Sequence, residues 1–301
     1  MKQFKIMKLL FVFLFAYVAF SCKQSVIETK VSKELDYELK IVSNQKALLI
    51  LFPCFPCDIE HTKQEAKFIE HIDQQGITTL LFNFNQKLYL SDQEKKNIIT
   101  RLIDILNQHQ LNKVNLYIGG FSSGGNVAML IGNELMKEQN SIQPKGVFVV
   151  DSPIDLEELY KSAKKDIEEN VSKAAVEEGK FLIELFNKEL GAPEDSIQNY
   201  EYYSPYLMSK NSNKNIQFLK NIKIRLYCEP DIEWQSSNRN RTYEDLNAFK
   251  LKKMASHLKA IGAKSVEFIE TENRGFRANG QKHPHSWNIV EKESLVDWML
   301  N

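Results

Sequence analysis

Residues 114–138 read VNLYIGGFSSGGNVAMLIGNELMKE, and the fold follows from how this stretch divides. Its first part, VNLYIG, is a short apolar run of the kind that forms a buried strand. Its last part, NVAMLIGNELMKE, carries apolar residues at helical spacing. Between them Gly120-Phe121-Ser122-Ser123-Gly124 leaves almost no chain for a connection. The protein has 12 glycines, yet Gly119, Gly120, Gly124, Gly125 and Gly132 fall within 14 residues. Such clustering asks for a backbone reason: where a strand and a helix are forced together, side chains collide and hydrogens do not. The spacing G-x-S-x-G lifts its central serine clear of a sheet. It also aims the amides that follow, at a helix N-terminus, toward a developing negative charge. Ser123 is also a serine, but the distance from both flanking glycines singles out Ser122.

On either side, short runs rich in Val, Ile, Leu and Phe alternate with stretches of helical period, which predicts an α/β fold with a sheet covered on both faces. Eight strands are expected, at residues 26–31, 35–42, 47–52, 78–84, 114–119, 146–150, 222–227 and 265–270. The first two alternate apolar with polar, as half-exposed antiparallel edge strands do, and the middle ones are continuously apolar like buried parallel strands. Helices are expected at about 59–74, 92–109, 123–138, 243–260 and 287–300. Residues 152–220 are far too long for a loop and predict an inserted helical lid after strand six. Within it 155–190 has helical spacing and stops at Gly191, with Pro193 beyond.

With the serine turn in place, the chain from about residue 35 to 301 resembles the α/β-hydrolase superfamily. The resemblance implies a serine hydrolase acting on a carboxylic ester or related acyl bond, with chain order serine, acid, histidine. A serine hydroxyl needs a base, and the base a carboxylate to orient it. Of six histidines, His61, His71 and His109 precede the serine and His257 lies in a helix. His283 and His285, in Lys282-His283-Pro284-His285-Ser286-Trp287, stand where the family places its base, and His285 is the expected one. The acid is expected in the loop after strand seven, Cys228-Glu229-Pro230-Asp231-Ile232-Glu233-Trp234. Asp231 sits at the family's usual offset, with Glu229 and Glu233 as alternatives. Asp151 and Asp155, after strand six, are the other place for an acid, although capping the following helix is the commoner role of such residues. The family's oxyanion loop corresponds to Pro53-Cys54-Phe55-Pro56, so the amides of Phe55 and Ser123 are the implied donors. Pro53 and Cys54 depart from the usual His-Gly there.

The remaining features bound the setting. Lys2, Lys5 and Lys8 precede the apolar run 9–20, LLFVFLFAYVAF, as in an export signal too short for a permanent span. Ala19-Phe20-Ser21-Cys22 is similar to a bacterial lipobox. Residues 1–21 are therefore read as a lipoprotein signal, Cys22 as the lipid anchor, 22–34 as a tether and 35–301 as the domain. A cell-envelope lipoprotein, periplasmic or in the outer membrane, is the expected setting. The 39 basic and 39 acidic residues cancel, leaving no charge excess for nucleic acid. Without the signal, 36 basic residues face 39 acidic ones. No zinc-like ligand spacing or phosphate-binding loop is evident, so no metal or cofactor is expected. Partners are an acyl small molecule or peptide and, through Cys22, a membrane. Cys54 and Cys57 form a C-x-x-C pair, which leaves a redox protein as one rival reading and a non-catalytic envelope module as another. Aromatics at 84, 89, 200, 202, 203 and 206, and the cations Arg274 and Arg277, are candidates for the substrate pocket.

Overall fold

A computed structural model describes residues 28–84, 87–138 and 142–301; the expected signal, Cys22 and the beginning of the tether lie outside the described residues. Eight strands form one sheet: β1 (Thr29–Lys33), β2 (Tyr37–Val42), β3 (Ala47–Phe52), β4 (Ile77–Phe82), β5 (Asn115–Phe121), β6 (Pro144–Val150), β7 (Lys223–Cys228) and β8 (Ser265–Glu270). Their order across the sheet is β1-β2-β4-β3-β5-β6-β7-β8. β2 runs antiparallel to both β1 and β4, and every pairing from β4 to β8 is parallel.

Alternation along the strands makes two cores. On β3, Leu48, Ile50 and Phe52 face one side with Ile118, Val147, Val149 and Leu226, while Ala47, Leu49 and Leu51 face the other with Tyr117, Phe148 and Tyr227. Helices α2 (Asp92–Gln108), α3 (Ser123–Lys137) and α8 (Asn247–Ala260) cover the first side. α1 (Ile59–Glu65) and α9 (Lys292–Leu300) cover the second. With both faces covered, β3 and β4 are buried throughout, which is why they read as unbroken apolar runs.

Residues between β6 and β7 form three helices, α4 (Leu156–Glu168), α5 (Lys173–Glu189) and α6 (Pro193–Tyr203), followed by short 3-10 turns. The single helix expected over 155–190 is therefore two. Asn170 takes a left-handed φ of 48°, and Ser172 then caps α5 by accepting from the Ala175 amide. Gly191 closes α5 in the left-handed region, φ 81°, and Pro193 opens α6. The insertion has its own core of Leu156, Tyr160, Leu182, Phe186, Tyr200 and Leu207, joined by Tyr89 from the loop after β4.

Two further expectations change. The helix over 59–74 stops at Glu65, because Ala66 leaves helical geometry (φ −84°, ψ 74°) and His71 turns left-handed (φ 59°). A helix that periodicity did not reveal, α7 (Ile232–Arg239), follows β7; none of its residues is buried, so it has no apolar stripe to read.

Candidate active site

β5 ends at Phe121 and α3 begins at Ser123, so Ser122 is the turn between them, with φ 54° and ψ −127°. Non-glycine residues seldom hold that conformation, and its strain is sustained by the surrounding hydrogen bonds. The Ser122 amide donates to the Val150 carbonyl (2.9 Å), and the Gly125 amide donates to the Ser122 carbonyl (2.9 Å). The glycines answer a need for space. A Cβ on Gly120 would stand 2.0 Å from the Gly124 carbonyl oxygen, and one on Gly124 would stand 2.3 Å from the carbonyl oxygens of Phe52 and Pro53. One on Gly125 would meet Ser152 Oγ at 1.8 Å.

The strand register sets what stands beside Ser122. Phe121 pairs with Val150, and Val150 with Tyr227, so the first residues beyond β5 and β6 are Ser122 and Asp151, side by side at the sheet's C-terminal edge. Asp151 is itself held at positive φ (45°), with its amide donating to the Tyr227 carbonyl at 2.8 Å. Its Oδ2 accepts from His285 Nδ1 at 2.6 Å, and the carboxylate is largely buried. His285 lies over the Phe121 ring, centroid to centroid 4.5 Å, and Phe121 rests in turn on the buried Trp287. Ser122, Asp151 and His285 line one cavity of about 180 Å³.

Asp231, the expected acid, is not brought to His285. It begins α7, where its Oδ1 accepts from the Trp234 amide at 3.1 Å, and its Oδ2 pairs with Lys282 at 2.6 Å. It lies three residues beyond the end of β7 and serves as a helix cap, so the place opposite the histidine is filled from β6. Glu229 is buried and engaged elsewhere: its carboxylate accepts from Thr271 Oγ1 (3.0 Å) and from the amides of Arg274 (2.9 Å) and Gly275 (2.8 Å). Those bonds anchor the loop between β8 and α9 that carries His285. Glu233 is exposed on α7. Asp155 does cap α4, accepting from the Glu158 amide (3.1 Å) and also from that of Met208 (2.8 Å). Burial pushes its carboxyl up to about 6.

His283 donates from Nδ1 to the His285 carbonyl at 3.2 Å. Burial, with Arg277 and His285 nearby, pushes its pKa down to about 4, so its ring is neutral at neutral pH. The amides of Phe55 and Ser123 donate to no carbonyl or side chain among the described residues. Phe55 does not line the cavity; its ring stacks on Phe181 of α5 at 5.8 Å. Cys54 and Cys57 are joined as a disulfide around Phe55 and Pro56. With His61 they are the residues among those described whose ligand atoms could hold a metal, all within 4.8 Å, but the two sulfurs are bonded to each other. The aromatic candidates are chiefly core: Phe84, Tyr89, Tyr200 and Tyr206 are buried, and none of the six lines the cavity. Arg274 pairs with Glu291 at 3.1 Å, and neither it nor Arg277 lines the cavity.

Strand order, serine turn and an acid–histidine pair beyond the parallel strands define an α/β-hydrolase fold. Residues 87–215 match the thioesterase domain family. No curated protein sequence matches the chain. Among solved structures it is similar to EstE5 in a crystal structure with PMSF, at 10% identity and a TM-score of 0.56, covering 91% of this chain and 86% of that one. A hormone-sensitive lipase from a metagenome library is similar at 12% identity and a TM-score of 0.54, with 91% and 84% covered. Carboxyl esterase 2 from the mycorrhizal fungus Tuber melanosporum gives 12%, 0.53, 91% and 84%.

Proposed function

We propose that the protein is a serine hydrolase that cleaves a carboxylic ester or thioester through Ser122, His285 and Asp151, by way of an acyl-enzyme. The observation that carries this reading is the 2.6 Å bond from His285 to Asp151 on the cavity that Ser122 also lines. With Nδ1–H committed to the carboxylate, His285 keeps its lone pair on Nε2, the tautomer a general base needs. In the first step His285 Nε2 takes the Ser122 proton as Oγ adds to the acyl carbon. The free amide of Ser123, at the start of α3, then holds the oxyanion, with that of Phe55 the second donor once substrate draws the loop after β3 to the serine, and the protonated His285 gives its proton to the leaving alcohol or thiol. In the second step water, deprotonated by the same nitrogen, releases the acid.

The esterases among the similar structures and the thioesterase match support the reaction class. A serine-directed fluorophosphonate is expected to add once to the folded protein, with the mass shift on the peptide containing Ser122. Labelling elsewhere, or none, would overturn the assignment.

The lysine-led apolar run and Cys22 support export and lipid attachment, and the α4 and α5 residues that line the cavity, Leu159 and Leu182 among them, support a lid role for the helical insertion. Membrane-extracted protein is then expected to begin at an acylated Cys22. An unmodified Cys22 by intact mass would count against the anchor.

A further inference from the structure

The cavity beside Ser122 is unlike an apolar acyl tunnel, because charged side chains make up much of its wall. Nearly all of those charges are already matched. Arg241 pairs with Asp166 at 2.6 Å, and Asp245 with Lys165 at 2.8 Å. Glu158 pairs with Lys161 at 2.9 Å, while the buried Lys250 donates to the Glu244 carbonyl at 2.7 Å. Asp155 and Glu229 are held by backbone amides, and Asp151 by His285. Two charged groups are left over. Glu178 is exposed on α5, whereas Arg239, the last residue of α7, is half-buried and has no hydrogen bond or ion pair among the described residues. Nor is it closing its own helix: that end is capped by the Asn240 amide donating to the Gln235 carbonyl. It lines the same cavity as His283 and His285, and its charge is among those that hold the His283 ring neutral.

A guanidinium presents five donors in a planar fork matched to carboxylate or phosphate oxygens. We infer that Arg239 forms an anion-binding subsite in the cavity that Ser122 also lines, and that the acyl compound cleaved there bears a negative charge, a carboxylate on the acyl side or a phosphate on the leaving group. The inference rests on the hydrolase reading of the site and adds a substrate class to it.

Two substrate pairs test it. One sets the p-nitrophenyl half-ester of glutaric acid against p-nitrophenyl valerate. The other sets a thioester of a phosphate-bearing thiol against the same acyl group on a phosphate-free thiol. In the wild type the charged member of one pair is expected to lead in kcat/KM by about tenfold, the low end for a hydrogen bond to a charged group. Which pair shows it tells the acyl side from the leaving group. The readout is the charged-to-neutral ratio within each variant, which a general loss of activity does not move. Arg239→Gln is expected to bring that ratio to about one, and Arg239→Lys to keep part of it as a point charge. No preference in the wild type, or a preference that survives Arg239→Gln, would overturn the inference while leaving the hydrolase reading in place. Turnover of no ester or thioester at all would bring down the hydrolase reading, and the subsite with it.

Discussion

Replacing Asp151 with asparagine is expected to lower kcat about ten-thousandfold, and replacing Asp231 with asparagine to change it by no more than about threefold. An asparagine amide opposite Nδ1 can donate as well as accept, which favours the His285 tautomer that carries its proton on Nε2 and has no lone pair for the serine proton. It also removes the charge that steadies the imidazolium. Asp231 has other duties. Asparagine caps a helix about as well as aspartate, so the bond to the Trp234 amide is kept, and what is lost is a solvent-screened surface pair with Lys282, which contributes little. Steady-state kinetics on one chromogenic ester separates the outcomes. A severe loss in Asp231→Asn beside a mild one in Asp151→Asn would return the acid to the loop after β7.

The second large effect is on stability. Gly124→Ala sets a methyl group 2.3 Å from two backbone carbonyl oxygens on β3 and the loop beyond it, and neither can turn away as a flexible side chain could. Overpacking of this kind costs about 3 kcal/mol or more, which in a domain of this size lowers Tm by about 6–10 °C. Gly262→Ala is the contrast. A Cβ there meets nothing within 4 Å, and the cost comes from its left-handed φ of 85° alone, about 1 kcal/mol. Thermal melts of the two variants read the difference. If Gly124→Ala melts within about 2 °C of wild type, the close approach of α3 to β3 does not explain the glycine.

How far the sequence could be read depended on how local the determining interactions are. The eight strands were legible to within a few residues because each run carries its own mark, mainly apolar sequence where β3 to β7 are buried and alternation in β1 and β2 on the more exposed outer part of the sheet. Ser122 was legible because its constraint lies within five consecutive residues. Asp151 was not, because the partner of a histidine is chosen by which strand ends lie level, and that is a property of the register between β5, β6 and β7. A weaker signal was present. Asp151 and Asp155 both precede α4, but a helix has one N-cap, and Asp155 holds that position, leaving Asp151 without a local role. The expectation that Asp231 stands opposite His285 has the same origin in reverse. In Asp231-Ile232-Glu233-Trp234 an aspartate opens a helix too short and too exposed to announce itself, so its role as a cap could not be read.

With Asp151 bonded to His285 and Asp231 capping α7, the stretch from Asp231 to Leu246 supplies no carboxylate to the histidine, and yet Trp234, Gln235, Arg239 and Arg241 within it line the cavity. In the proposed hydrolase, bond cleavage and substrate choice are thereby lodged on different segments of the chain. Such a layout is modular in part: the far end of the segment, from Arg239 to Arg241, can be recharged and the enzyme retargeted, while Asp231 and Trp234 at its start stay against Lys282 and His283 in the loop that carries His285. Diversity among close homologues should accumulate there first, and a designer seeking a new substrate would begin at α7.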